Sequence, residues 1–135
     1  MQEIFKGIHT DMNNNDKINH CIEIIEDVKN KLDNEAICFI DEALELCYQW
    51  KNNHIDISDD LYSYLDDEYH GFTIFQEAEE NEYLINVWNC IIDAFAYICR
   101  AVYDDFGAKY YPEPIELVDE ETFSRLKNYI ESKNR

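Results

Sequence analysis

Glycine and proline are scarce in this chain, three and two among 135 residues. Tight hairpin turns draw on those residues, so little material is left for a β-hairpin protein. Cations are scarce as well. Eleven Lys and Arg face thirty Asp and Glu, a formal charge of −19. Small domains are comfortable at magnitudes of about 2–8, and charge beyond that weakens the fold by self-repulsion. Nucleic-acid binders take most of their affinity from phosphate neutralisation. A chain this acidic instead repels DNA, RNA and anionic membranes at long range and attracts a basic protein. No uninterrupted apolar run approaches the roughly 18–20 residues of a membrane span. The start, Met1-Gln2-Glu3-Ile4-Phe5-Lys6, has neither the basic opening nor the apolar stretch of a signal peptide. The five cysteines (Cys21, Cys38, Cys47, Cys90, Cys99) are odd in number and contain no Cys-x-x-Cys. They read as reduced thiols, and the expected location is cytoplasmic.

Apolar residues make up 46% of the chain, an ordinary share for a folded protein. Its length fits one domain, 1–135. No alternating β pattern stands out, and helical spacing dominates. Ile4, Phe5 and Ile8 suit a short opening helix. Ile18, Cys21, Ile22, Ile25, Val28 and Leu32 follow the three–four spacing of one helix face, with Asn15 or Asp16 as cap. Ala36, Ile37, Ile40, Ala43, Leu44 and Cys47 form a second, ending near Trp50, and the Asp33-Asn34 turn makes the two an antiparallel hairpin. Ser58 reads as the cap of a third helix whose inward face is Leu61, Tyr62, Leu65 and Tyr69. Residues 72–82 fit helix or loop. Residues 83–106 are apolar almost all round, the mark of a central helix covered by its neighbours. Trp88 belongs to that core face, as do Phe95 and Phe106; Trp50 fits core or surface equally. Gly107 is a natural stop. Pro112 and Pro114 stiffen the connector 107–118, and Asp119 caps a last helix with Phe123, Leu126 and Ile130 facing in. The expected fold is all-α: a single compact domain of five or six helices around a central apolar helix.

The strongest local signal is a charge gap. Between Lys51 and Arg100 there is no Lys or Arg, while the same stretch carries Asp56, Asp59, Asp60, Asp66, Asp67, Glu68, Glu77, Glu79, Glu80, Glu82 and Asp93. Tyr62, Tyr64, Tyr69 and Tyr83 are interleaved. A merely solvated face normally mixes signs. Acids with tyrosines match the rim and anchors of a protein interface, and such a patch steers a basic partner.

Other chemistries find no support. Cys38 and Cys47, like Cys90 and Cys99, are nine positions apart, which puts each pair on opposite helix faces; small core thiols are the simpler reading. No histidine completes a Glu-x-x-His pair for a di-iron site. A calcium loop sought from Asp56 has Leu61 where the turn needs Gly and Asp67 where Glu is expected. No phosphate loop, dinucleotide fingerprint or nucleophile elbow is present. No catalytic, cofactor-binding or metal-ligating residue is assigned.

The stretch Trp88-Asn89-Cys90-Ile91-Ile92-Asp93-Ala94-Phe95-Ala96-Tyr97, with Tyr111-Pro112-Glu113-Pro114-Ile115-Glu116 after it, resembles the small all-α immunity proteins of bacterial polymorphic toxin systems, in particular the sixth numbered family. The resemblance covers mainly residues 60–120. It implies a cytoplasmic protein, encoded beside a toxin, that binds and neutralises that toxin without cofactor or catalytic residues. Many such toxins are nucleases with basic surfaces. The contacting patch expected here is Asp59, Asp60, Tyr64, Asp66, Asp67 and Glu68, with Glu77, Glu79, Glu80 and Glu82 second and Asp104, Asp105 and Glu113 as a separate group. The rival reading is an acidic nucleic-acid mimic that blocks a DNA-binding enzyme. Nothing in the sequence fixes the oligomeric state.

Overall fold

The computed structural model describes residues 14–66 and 71–133. Among them are seven α-helices and no strand: α1 (Asn14–Val28), α2 (Asn34–Asn53), α3 (Ser58–Asp66), α4 (Phe72–Ala78), α5 (Glu82–Asp105), α6 (Glu113–Glu116) and α7 (Glu120–Lys133), with a 3₁₀ turn at Lys29–Lys31 between α1 and α2. The all-α expectation stands. The count exceeds it because residues 72–78 are helix and the connector itself holds the one-turn α6. The expected opening helix at Ile4, Phe5 and Ile8 lies outside the described residues, as do Tyr69, Asp67 and Glu68. So do the side chains of Asp66, Glu113 and Ile130.

Helix α5 is the hub, packing against α1, α3, α4, α6 and α7. Its apolar circumference explains this: Val87, Trp88, Ile91, Phe95, Ile98 and Val102 are buried on one side and Cys90, Ala94, Ala101 and Tyr103 on others. It is also the one described helix long and apolar enough to reach across a bilayer, and 61% of its most apolar stretch is buried inside the protein. Phe106 departs from the expected core face. The helix ends at Asp105, and the Phe106 ring turns outward to stack on His54, centroids 4.6 Å apart.

Hydrogen bonds at the helix ends follow from side-chain chemistry. Asp33 accepts from the Ala36 N–H at 2.9 Å, Asn81 from Leu84 at 3.1 Å, and Asp119 from Glu121 and Thr122 at 3.0 and 3.2 Å. At α3 the expected cap is corrected. Asp56, not Ser58, supplies the acceptor, taking both the N–H and the hydroxyl of Ser58 at 3.0 and 2.7 Å. Helix α5 closes in a Schellman turn: Ala108 N–H bonds to Tyr103 O and Gly107 N–H to Asp104 O. Gly107 sits at φ +72°, a conformation that costs other residues about 1–2 kcal/mol.

The expected hairpin of α1 and α2 forms through long side chains. Tyr48 of α2 donates to Glu26 of α1 at 2.8 Å, and Lys29 of the 3₁₀ turn donates to Asp41 of α2 at 2.6 Å, so the partner moves back along α2 as the chain moves forward, the antiparallel order. Far along the chain, Lys17 of α1 reaches Glu120 of α7 at 2.8 Å, 103 residues away. Beneath α3 and α4 lies an aromatic nest. Phe72, fully buried, stands 5.0 Å from Phe95, 5.3 Å from Phe39 and 6.0 Å from both Tyr64 and Trp88.

Four of the five cysteines are core residues, as expected; Cys38 is exposed. Burial pushes the Cys47 thiol up to about 12 and raises Cys21 and Cys99 as well, so these thiols stay protonated and poorly nucleophilic. No group of three or more metal-ligating side chains occurs among the described residues.

Glu26 makes the fold pH-dependent. Partial burial pushes its carboxyl up, but hydrogen bonds from Lys29 and Tyr48 outweigh that and hold it below the ordinary glutamate value. The unfolded chain therefore binds the proton first as pH falls. The stabilisation is complete above the ordinary value of 4.5 and is lost as pH drops through the depressed one. Pairs this exposed contribute at most about 1 kcal/mol. Glu26→Gln is expected to melt a few degrees lower than the parent at pH 7, with the difference closing below about pH 4. Melting curves across that range check it, and a gap that persists unchanged in acid would contradict the assignment.

Candidate partner-binding surface

The acids of the charge gap do not form one patch. Tyr103, near the end of α5, donates from its hydroxyl to Asp59 at 2.8 Å. Its ring meets that of Tyr111 edge-on at 6.0 Å, and the Tyr111 hydroxyl donates to Asp104. The N-terminus of α3 is thereby fastened to the C-terminal end of α5 and to the connector. Glu82 begins α5, so a rise of about 1.5 Å per residue puts it roughly 32 Å along the helix from Tyr103. Glu77, Glu79, Glu80 and Glu82 therefore occupy the opposite end of the molecule from Asp59 and Asp60. Asp104, expected as a separate group, is what the structure brings beside Asp59.

Individual side chains divide into structural and available ones. Asp60, Glu77, Glu80 and Glu82 are exposed. Asp56 holds the start of α3, and Glu79 is half-buried, accepting the N–H groups of Glu80 and Asn81 at 3.2 and 3.1 Å. Asp93 faces α7, its carboxylate 3.6 Å from Arg125; burial raises its pKa against the pull of that guanidinium. Tyr64 is half-buried rather than a free anchor. Its hydroxyl donates to Glu42 at 3.0 Å and its ring leans on Phe39 at 5.0 Å. Burial and that bond to Glu42 raise its pKa. Tyr103 is raised too, by burial first and by its bond to Asp59 second. Both phenols remain neutral donors at physiological pH.

Arg100 ends the cation gap and turns inward. Its Nη1 donates to the carbonyls of Val118 at 2.9 Å, Glu116 at 3.1 Å and Ile115 at 3.4 Å. Its guanidinium lies 4.1 Å from the centroid of Tyr111, and Asp104 approaches Nε at 3.6 Å. Sequence reasoning missed this clamp. The usable signal was a lone cation late in an apolar helix, twelve residues before the first proline of the connector. At the same end Asp105 accepts from the Trp50 indole at 2.9 Å and pairs with His54 at 2.6 Å. Trp50 is thus a core residue with the acceptor a buried indole needs, and Asp105 is held in the structure rather than free for a partner.

The class these features define is an all-helical domain in which Asp59, Tyr103, Tyr111 and Asp104 are joined at one end of the long central helix, with no group of three or more metal-ligating side chains among the described residues. The family model described as Immunity protein Imm6 matches residues 12–133. The chain belongs to the Imm6 family of immunity proteins, proteins of toxin systems that bind a cognate toxin. No curated protein and no solved structure matches it.

Proposed function

We propose that this immunity protein neutralises its toxin by covering a basic surface of the toxin with the acidic end formed by α3, the end of α5 and the connector, and that it does so in the cytoplasm of the cell that makes the toxin. The observation that carries the reading is the joining of Asp59 to Asp104 through Tyr103 and Tyr111, with Arg100 at the same end engaged by backbone carbonyls and Lys109 of the connector as the exposed cation there. A nuclease is the toxin class that suits it best. Nucleases hold phosphates with Lys and Arg, and a carboxylate surface competes for the same groups. The protein needs no cofactor for this and acts by contact, not by catalysis.

The test uses the C-terminal domain of the toxin encoded beside this gene. The wild type should form a complex whose association slows steeply with salt. Reversing Asp60 and Glu116 to Lys should slow association about tenfold or more and flatten that salt dependence. The same reversal at Glu77, Glu80 and Glu82 should do markedly less. If the second set dominates, the contacting surface is the other end of α5. If neither set alters association, the electrostatic account is wrong. Equal competition with DNA for several unrelated basic proteins would favour the nucleic-acid mimic.

A further inference from the structure

The connector between α5 and α7 carries the two most exposed large apolar side chains among the described residues, Tyr110 at 86% and Leu117 at 73%. Single exposed apolar residues are common on protein surfaces. These two differ in how the chain beneath them is held. Each is followed by a residue that packs inward: Tyr111 under Arg100 and against Tyr103, and Val118 in the core. Between them, Ile115 is buried at 1% and Pro112 starts α6. The Schellman turn fixes the start of the segment, and three carbonyls near its end converge on Arg100. Irregular backbone is thus held rigid while its largest apolar groups face solvent.

The surroundings state the chemistry of what covers them. Beside Leu117 lies an open cleft of about 500 Å³ whose walls include Asp104, Glu116, Asp119 and Glu120. Arg100, also in that wall, has its Nη1 bound to carbonyls. The cleft is therefore apolar at one lip, with the exposed carboxylates of Glu116 and Asp119 beside it and Glu120 already paired with Lys17. It is continuous with the Asp59–Tyr103 end through Tyr111 and Asp104.

We propose that Tyr110 and Leu117 are the anchors of the toxin interface, seated in an apolar recess of the toxin that is ringed by Lys and Arg. The inference rests on the immunity reading above and assigns a division of labour within it. Exposed acids set the rate of encounter, and the clamped connector sets the lifetime of the complex. A preorganised loop loses little freedom on binding, and exposed tyrosines on such loops are frequent hot spots.

The experiment measures association and dissociation rates of the toxin's C-terminal domain with the wild type, Tyr110→Ala, Leu117→Ala and, as control, Tyr83→Ala, exposed at 54% on the far end of α5. The expected result is dissociation about tenfold or more faster for Tyr110→Ala, a smaller increase for Leu117→Ala, and unchanged association for both. Tyr83→Ala should match the wild type. Unchanged melting temperatures confirm that the variants are folded, and a photo-crosslinking residue at position 110 should join to the toxin. Wild-type dissociation in both connector variants, with no crosslink from position 110, overturns the anchor assignment and leaves the immunity reading standing. A wild type that does not bind the toxin at all removes both.

Discussion

Phe72→Ala is expected to lower the melting temperature by roughly 10–20 °C, the equivalent of about 3–5 kcal/mol. The ring is wholly buried and is contacted from three other helices: Phe39 of α2, Tyr64 of α3, and Trp88 and Phe95 of α5 all stand within 6.0 Å of its centroid. Truncation removes the transfer energy of the ring and leaves a cavity. Rigid aromatic neighbours on three helices cannot close it by rotamer changes alone. A domain of this kind has about 5–15 kcal/mol in total, so the variant should also populate unfolded forms at ordinary growth temperatures. Thermal and urea denaturation read the effect. A loss below about 1 kcal/mol would mean that the nest collapses around the gap and that Phe72 is not its centre.

The second large effect is expected at Arg100. Arg100→Met keeps most of the aliphatic stem and deletes the guanidinium, leaving the carbonyls of Ile115, Glu116 and Val118 and the face of Tyr111 without their cation. Hydrogen bonds to charged groups are worth about 1.5–3 kcal/mol each. Some carbonyls will find water, so the expected net loss is about 2–4 kcal/mol. Arg100→Lys should recover only part of it, because an ammonium, although it carries three donors, is not planar and cannot stack flat on a phenol ring while it bonds the carbonyls. The loss has a location. Amide exchange should accelerate in residues 112–118 well before it does in the middle of α5. Uniform acceleration would place the arginine's role in the global core, and unchanged exchange in 112–118 would remove the clamp from the account.

How much of this was readable beforehand depends on the range of the interaction. Helix α5 announced itself because an apolar circumference requires cover on every side, and Trp88 and Phe95 could go nowhere else. Asp119 was legible as a cap because capping is decided within three residues. Ser58 misled for a related reason. The preceding Asp56 accepts both the N–H and the hydroxyl of Ser58, so the hydroxyl is spent as a donor, and the sequence does not show that competition. Phe106 fitted the helical period but fell one residue past the point where the Schellman turn ends it, which frees the ring to meet His54. The acidic site was legible in composition and not in arrangement. Eleven acids without a cation mark a region, but only the packing of α3 along α5 separates Asp59 from Glu82 by most of the molecule's length and sets it beside Asp104. Tyr64 looked like an anchor because tyrosines among acids often are; its partners, Glu42 and Phe39, come from a helix about 20 residues earlier. Arg100 and Tyr110 were overlooked because the value of each lies in what the connector does in three dimensions.

The packing of α1 has a consequence for how the protein is made. Its partners are α5 and α7, and Lys17 waits for Glu120, 103 residues downstream. A nascent chain can form the α1–α2 hairpin early, but the apolar side of that hairpin has no cover until the ribosome has delivered α5. The last partner of α1, helix α7, follows later still and brings Glu120 to Lys17. Translation at about 5–20 residues per second takes roughly 7–27 s for 135 residues. The apolar face of α1 is therefore covered only after α5 has been made. During those seconds the surplus of carboxylates has a second use, keeping half-built chains apart by mutual repulsion.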